Sequence, residues 1–279
     1  MRPEPVTTRN AAFQQWQALL TNRTKRTRLG ELLVQGVRPV TVALDVGWPL
    51  AAVLHDDRPS PSAWARESVE RAVAAGARPY RLSADLLAEL GEKGDDVDHA
   101  PEVVLVGRLP ADDVARLPVG PDLLTVVLDR PGSPGNVGSI ARSLDAFGGT
   151  GLVVCGHAVD PYDPRAVRAS TGSALAVPTV RLDAPGQVVA WVEQARADLG
   201  AVTVLGTDET GDVELADADL TGPTVVVTGN ETRGLSAAWR DAVDVMVRIP
   251  MTGTASSLNA ANATSVVLYE AVRQRRARG

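Results

Sequence analysis

The sequence predicts an α/β protein of two domains, the second built on a parallel sheet covered by helices. Three observations predict it. From residue 123 onward, near-continuous apolar runs at 123–128, 151–155, 201–205, 223–228 and 244–249 alternate with helical patterns at 137–147, 185–199, 236–243 and 257–276. Strands that are apolar throughout must be covered on both faces, and intervening amphipathic helices do this in parallel sheets. Before residue 108 the elements are shorter and mixed, and Pro110, Pro118 and Pro121 punctuate the polar stretch that follows. Residues 1–108 therefore read as a first domain, 109–122 as a linker and 123–279 as a second domain. A chain of 279 residues is long enough to bury two cores.

In chain order, Phe13, Trp16, Leu19 and Leu20 recur at helical spacing over residues 8–20, a stripe that core packing explains better than base stacking. A basic cluster follows, then the strand candidate Glu31-Leu-Leu-Val34, Gly36 and a short amphipathic segment through Val42 to Asp45. Leu50-Ala-Ala-Val-Leu54 and Glu102-Val-Val-Leu-Val106 read as strands, with helical patterns at 63–75 and 84–90 between them. The acidic pairs Asp56-Asp57, Asp95-Asp96 and Asp112-Asp113 fall in polar turns and read as solvated loops, not as paired catalytic carboxylates.

Composition excludes several classes of function. The lone Cys155 rules out an internal disulfide and a cysteine-based zinc site, and its apolar run Gly151-Leu-Val-Val-Cys155 marks it as a buried structural thiol. His55, His99 and His157 share no metal-ligand spacing, so no metal is expected. No apolar run reaches membrane-spanning length and the start lacks a signal peptide's apolar core, so the expected location is the cytoplasm, with no membrane partner. The net charge of −6 hides an uneven distribution: residues 1–40 hold seven basic residues against Glu4 and Glu31. That segment is either a solvated basic face or a phosphate-binding one.

Three glycine-containing stretches follow predicted strand ends: Pro134-Gly-Asn-Val-Gly-Ser-Ile-Ala-Arg142, Gly229-Asn-Glu-Thr-Arg-Gly234, and Ile249-Pro-Met-Thr-Gly-Thr-Ala-Ser-Ser-Leu-Asn-Ala-Ala-Asn262. Ligands of open parallel sheets bind outside those ends, so the three should converge on one site. The third also reads as an ordinary helix start with Ser256 or Ser257 as N-cap. A dinucleotide site is not supported, because Gly135-Asn-Val-Gly138 lacks the third glycine and a timely acidic partner; a Walker loop and a Ser-His-Asp set are absent too.

Asn136-Val-Gly-Ser-Ile-Ala-Arg142, Val227-Thr-Gly-Asn-Glu-Thr-Arg-Gly234, and Ile249-Pro-Met through Ser257-Leu-Asn259 resemble, in order, the three motifs of the SpoU, or TrmH-like, ribose 2′-O-methyltransferases of the SPOUT class. The segment from Lys25 to Gly36, with the mixed domain after it, resembles the family's substrate-binding domain, which has an L30e-like ribosomal-protein fold. Residues 8–20, Leu258 to Asn262 and Tyr269 to Arg275 extend the resemblance over nearly the whole chain, toward members that methylate a uridine of 23S rRNA.

The resemblance implies a deep trefoil knot in the catalytic domain, S-adenosylmethionine bent within the knotted loops, RNA as substrate with 23S rRNA favoured, and a homodimer. It implies donor contacts at Gly229, Ile249 and Leu258, with Thr207, Met251 and Gly234 beside them; for Ile249 and Leu258 core packing is the competing reading. It implies catalytic roles for Arg142, Asn136, Glu231, Ser257 and Asn259, with Glu231 alternatively a helix-start cap. A guanidinium stays charged at neutral pH, so Arg142 suits hydroxyl positioning and phosphate binding better than proton abstraction. Lys25, Arg26, Arg28 and Arg168 would hold RNA phosphate. Two other readings stay open, a tRNA ribose methyltransferase and a non-catalytic RNA-binding or ribosome-assembly protein of the same fold. Also open is whether methylation confers resistance to ribosome-targeting antibiotics or serves routine maturation.

Overall fold

A computed structural model describes residues 2–56, 58–91 and 100–278, so Asp57, Asp95, Asp96 and His99 lie outside the described residues. Two compact units form: Met1–Pro110 with Tyr162–Ala176, and Ala111–Pro161 with Val177–Gly279. In the first, β1 (Glu4–Val6) precedes α1 (Ala11–Thr21). The Asn10 side chain caps α1 by accepting from Phe13 N at 3.0 Å, and the stripe Phe13, Trp16 and Leu19 is buried as its spacing predicts. Helix α2 (Arg23–Leu29) ends at Gly30, whose φ of 64° is the left-handed stop that glycine adopts without strain.

α2 corrects the reading of Arg26. Its side chain is 1% exposed, donates to Leu19 O at 2.7 Å and pairs with Asp163 at 3.4 Å, whereas Arg28 is exposed and Lys25 half-buried. Successive helical residues turn by about 100°, so one side of a short basic helix faces the core while the other faces water. Arg26 has its guanidinium committed to protein partners inside the fold.

The unit continues through β2 (Glu31–Val34), α3 (Val37–Asp45), β3 (Leu50–Asp56), α4 (Ala63–Ala74), β4 (Arg78–Leu82), α5 (Ala84–Glu89) and β5 (Val103–Arg108). Its sheet has the order β1-β4-β3-β5-β2, with β4 parallel to both neighbours and β5 antiparallel to both of its own. Val103 and Leu105 of β5 enter one core cluster and Val104 and Val106 the other, so period-two alternation buries both faces. Strands β1 and β4 escaped the sequence reading because Pro5 and Pro79 sit inside them. Asp56 is no solvated turn: it ends β3, is buried and contacts Arg58, and burial pushes its carboxyl up despite that cation.

The second unit opens with residues 111–122, which are not a free tether. A 3-10 turn at Val114–Arg116 lets Arg116 Nη1 donate to Thr179 O at 2.8 Å, Asp112 pairs with Arg181, and Leu117 is buried. Then come β6 (Leu124–Asp129), α6 (Pro134–Ala146) and β7 (Gly151–Cys155). Two short helices, α7 (Pro164–Ala169) and α8 (Ser173–Ala176), return to the first unit, where Tyr162, Val167 and Leu175 join the cluster of Leu32, Val34 and Leu105. The chain goes on through β8 (Thr179–Leu182), α9 (Pro185–Leu199), β9 (Thr203–Thr207), β10 (Val213–Glu214), β11 (Thr224–Thr228), α10 (Ala237–Ala242), β12 (Val245–Arg248) and α11 (Ala260–Arg278).

These strands form an all-parallel sheet of order β10-β12-β9-β11-β6-β7-β8, the parallel architecture the apolar runs predict. Chain progress reverses at β6, which lies between β7 and β11, so a crevice position exists at its C-terminal end. Cys155 is buried in this unit, and burial first, then Asp129 and Asp183, pushes its thiol up to about 11, as befits a structural cysteine. No helix among the described residues is long and apolar enough to cross a membrane.

Candidate active site

Each of the three motifs leaves the sheet at a strand end. After β6, Ser133 caps α6 by accepting from Asn136 N at 3.3 Å, and Pro134 takes the first helical position, where its missing N–H costs nothing. The stretch from Pro134 to Arg142 is therefore helix, not loop. After β11, residues 229–236 turn back on themselves, with Asn230 and Gly234 exchanging backbone hydrogen bonds at 3.1 and 2.9 Å. A Cβ at Gly229 would come within 2.5 Å of Gly234 C, so this turn closes only around glycine. After β12, residues 250–258 run exposed and form no backbone hydrogen bond among the described residues. Helix α11 then starts on Asn259, whose Oδ1 accepts from Ala261 N at 2.9 Å; Asn259, not Ser256 or Ser257, is the cap.

One hydrogen-bonded relay joins all three motifs. Asn259 Nδ2 donates to Asn136 Oδ1 at 3.1 Å, and Asn136 Nδ2 donates to Glu231 Oε1 at 3.0 Å. Glu231 Oε2 accepts from Gly132 N at 3.1 Å. An amide can be both donor and acceptor, so Asn136 is the residue type that links a carboxylate to a second amide. Desolvation by neighbouring atoms disfavours the Glu231 charge, but donation from Asn136 and from the amides of Glu231, Gly132 and Ser133 outweighs it, and the carboxyl lies below its ordinary value.

Register places the remaining positions. Val247 is level with Thr207 across β12 and β9, and Val227 with Gly206 across β11 and β9. Thr207, Gly229 and Ile249 thus lie within about two residues of one level at the ends of three neighbouring strands. Ile249 is half-buried, while Met251 and Leu258 are 38% and 39% exposed on the uncovered loop. Ser257 is exposed without a hydrogen bond among the described residues. Arg142 is exposed on α6 and bonds to none of the relay residues. It stands six positions after Asn136, about 120° around the helix from it. Arg168 lies in the first unit, where its Nη1 donates to Gln35 Oε1 at 2.9 Å.

Sequence reasoning missed Asp129, Arg130 and Asn230. Asn230 Nδ2 donates to Arg130 O at 2.7 Å, and its Oδ1 accepts from Thr232 and Arg233 amides at 3.1 and 3.2 Å, shaping the turn. The available signal was an acid and a base placed directly after the apolar run of β6 and ahead of Pro131-Gly132.

A parallel sheet with ligand loops gathered at its C-terminal edge, tied by a Glu-Asn-Asn relay and accompanied by a small mixed unit, defines the class. The chain belongs to the SpoU rRNA Methylase family, whose profile matches residues 123–269, and the profile of the SpoU L30e-like domain matches residues 10–105. Among particular relatives, it is 54% identical over 270 residues to the 23S rRNA (uridine(2479)-2′-O)-methyltransferase of Streptomyces viridochromogenes, covering 97% of this chain and 92% of the relative. It is 33% identical over 198 residues to the 23S rRNA (guanosine-2′-O-)-methyltransferase RlmB of Pseudomonas syringae pv. tomato, covering 71% and 76%. The crystal structure of the SpoU methyltransferase AviRb from S. viridochromogenes in complex with AdoMet matches with a TM-score of 0.87 at 53% identity, covering 96% of this chain and 100% of that one. An AdoMet-bound rRNA methyltransferase from Sinorhizobium meliloti matches with a TM-score of 0.84 at 28% identity, covering 97% of each.

S-adenosylmethionine is the methyl donor of this family, and the loop residues suit it. Met251 and Leu258 offer uncovered apolar surface for an adenine, and the unbonded backbone of residues 250–258 offers polar partners.

Proposed function

We propose that this chain methylates the ribose 2′-hydroxyl of a uridine in 23S rRNA, working as a homodimer with the trefoil-knotted catalytic domain of its family. The relay from Glu231 through Asn136 to Asn259 carries this reading, because it ties the three motif segments into one polar edge. The 54% identical relative that modifies a 23S rRNA uridine supports the substrate. When bound, S-adenosylmethionine supplies an electrophilic methyl group on a sulfonium, whose loss leaves a neutral thioether.

The chain's own residues must then align and orient. Gly229 and Gly234 bring main-chain groups close, while Ile249, Met251 and Leu258 flank the base. Arg142, charged at neutral pH and without a partner among the described residues, is available to hold the hydroxyl and the adjacent phosphate. Ser257, equally unengaged among the described residues, is available to hydrogen-bond a substrate oxygen. In the first unit, Lys25 and Arg28 contact RNA phosphate and set position, not sequence.

The test is methyl transfer from a tritiated donor to protein-free 23S rRNA, assembled large subunits and tRNA. Transfer to 23S rRNA is expected, and Arg142→Ala should lose it by about 10²-fold or more while still binding donor. Incorporation into tRNA alone, or no incorporation into any of the three, overturns the reading, and near-normal turnover by Arg142→Ala overturns the role given to that residue.

A further inference from the structure

Asp129 and Arg130 follow the apolar stretch of β6, and neither belongs to the three motifs. Asp129 is 1% exposed, and its carboxylate accepts from Arg130 Nε at 3.0 Å, Arg130 Nη2 at 2.9 Å and Ser236 N at 2.7 Å. A buried charge of this kind is tolerated only when its lone pairs are met. Arg130 adopts a φ of 52°, a conformation that a residue with a Cβ enters at a cost. Its stem lies against Gly156, where a Cβ would come 3.0 Å from Arg130 Cγ, and its amide donates to Cys155 O at 2.9 Å.

From that conformation Arg130 holds the 229–236 turn at two points. Its carbonyl accepts from Asn230 Nδ2 at 2.7 Å, and its Nη2 donates to Gly234 O at 3.3 Å. With the bond from Ser236 N to Asp129, the turn is fastened near its start, near its end and just beyond it. Glu231, Thr232 and Arg233 between these points are exposed, so core packing does not shape this stretch. The close approach of Gly229 to Gly234 means that any shift at Gly234 is passed directly to Gly229.

We propose that Asp129 and Arg130 form a positioning clamp that holds the 229–234 turn in the shape that accepts the methyl donor. Donor affinity depends on the pair although neither touches the reacting atoms. The proposal rests on the donor reading given above.

Arg130→Gly removes the guanidinium and supplies a residue that takes positive φ without strain, but it leaves the buried Asp129 carboxylate with fewer donors, so the donor-free melting midpoint should fall and donor affinity is to be read well below it. The dissociation constant for S-adenosylmethionine, measured by calorimetry, should rise about tenfold or more, the scale expected for lost charge-assisted hydrogen bonds. KM for the donor should rise in step, while kcat at saturating donor and KM for RNA stay within about twofold. Asp129→Asn, which keeps the shape and removes the charge, should shift donor affinity in the same direction. Donor binding within about twofold of wild type by either Arg130→Gly or Asp129→Asn, measured on the folded variant, overturns the clamp and leaves the methyltransferase reading standing. A wild-type protein that does not bind the donor overturns both.

Discussion

At the scale of single residues, desolvation by neighbouring atoms works against charge on Glu231, and hydrogen bonds from Asn136 and the surrounding amides prevail, so its carboxyl lies below the ordinary 4.5. Since the folded value is the lower one, the stabilisation from the charged form is fully present above the unfolded value and disappears as pH falls through the folded one. Glu231→Gln should therefore be less stable than wild type by a gap that is constant from about pH 7 to about pH 5 and narrows below about pH 4.5. Denaturant titrations across that range measure it, and a gap that persists unchanged to about pH 3 would show that ionisation of Glu231 is not what the relay uses. Three residues of the relay could be picked from the motifs, because polar side chains at strand ends are visible in the letters. Their hydrogen bonding to one another could not, since Asn259 and Asn136 are separated by 123 positions.

Among elements, α11 is held to the sheet by a buried hydroxyl pair. Thr264 Oγ1 donates to Ala260 O at 2.7 Å, which leaves it to accept from Thr228 Oγ1 at 2.9 Å. Thr264→Val would strand the Thr228 hydroxyl and should cost about 1–3 kcal/mol, whereas Thr228→Val with Thr264→Val should recover part of that loss. Thermal melts of the two variants and the double form the check, and a double variant as unstable as the sum of the singles would refute the pairing. Helix-dipole compensation accounts for a basic tail in general, but Arg275 donates to the carbonyls of Leu220, Asp122, Leu123 and Gly222 and so fastens the helix end by specific bonds. Helix periodicity located α11, and the partners came from loops distant in sequence.

For the whole molecule, the proposed homodimer would cover Val266 and Tyr269, which are 40% and 57% exposed one turn apart on α11. Light scattering should give twice the 29.3 kDa monomer mass, and Tyr269→Glu should shift the protein toward monomer with loss of methyl transfer. A monomeric wild type with full activity would rule the dimer out. Alternation of apolar runs with amphipathic helices was enough, without coordinates, to establish a parallel α/β domain and the positions of its loops, because both periodicities are set by a few neighbouring residues. Strand order, the return of Tyr162–Ala176 to the first unit, the burial of Arg26 against Asp163 and the fastening of the 229–236 turn by Arg130 were decided by the tertiary structure. Each of these depends on groups far apart in the chain, and no local pattern of residues records which distant partner will be near enough to bond.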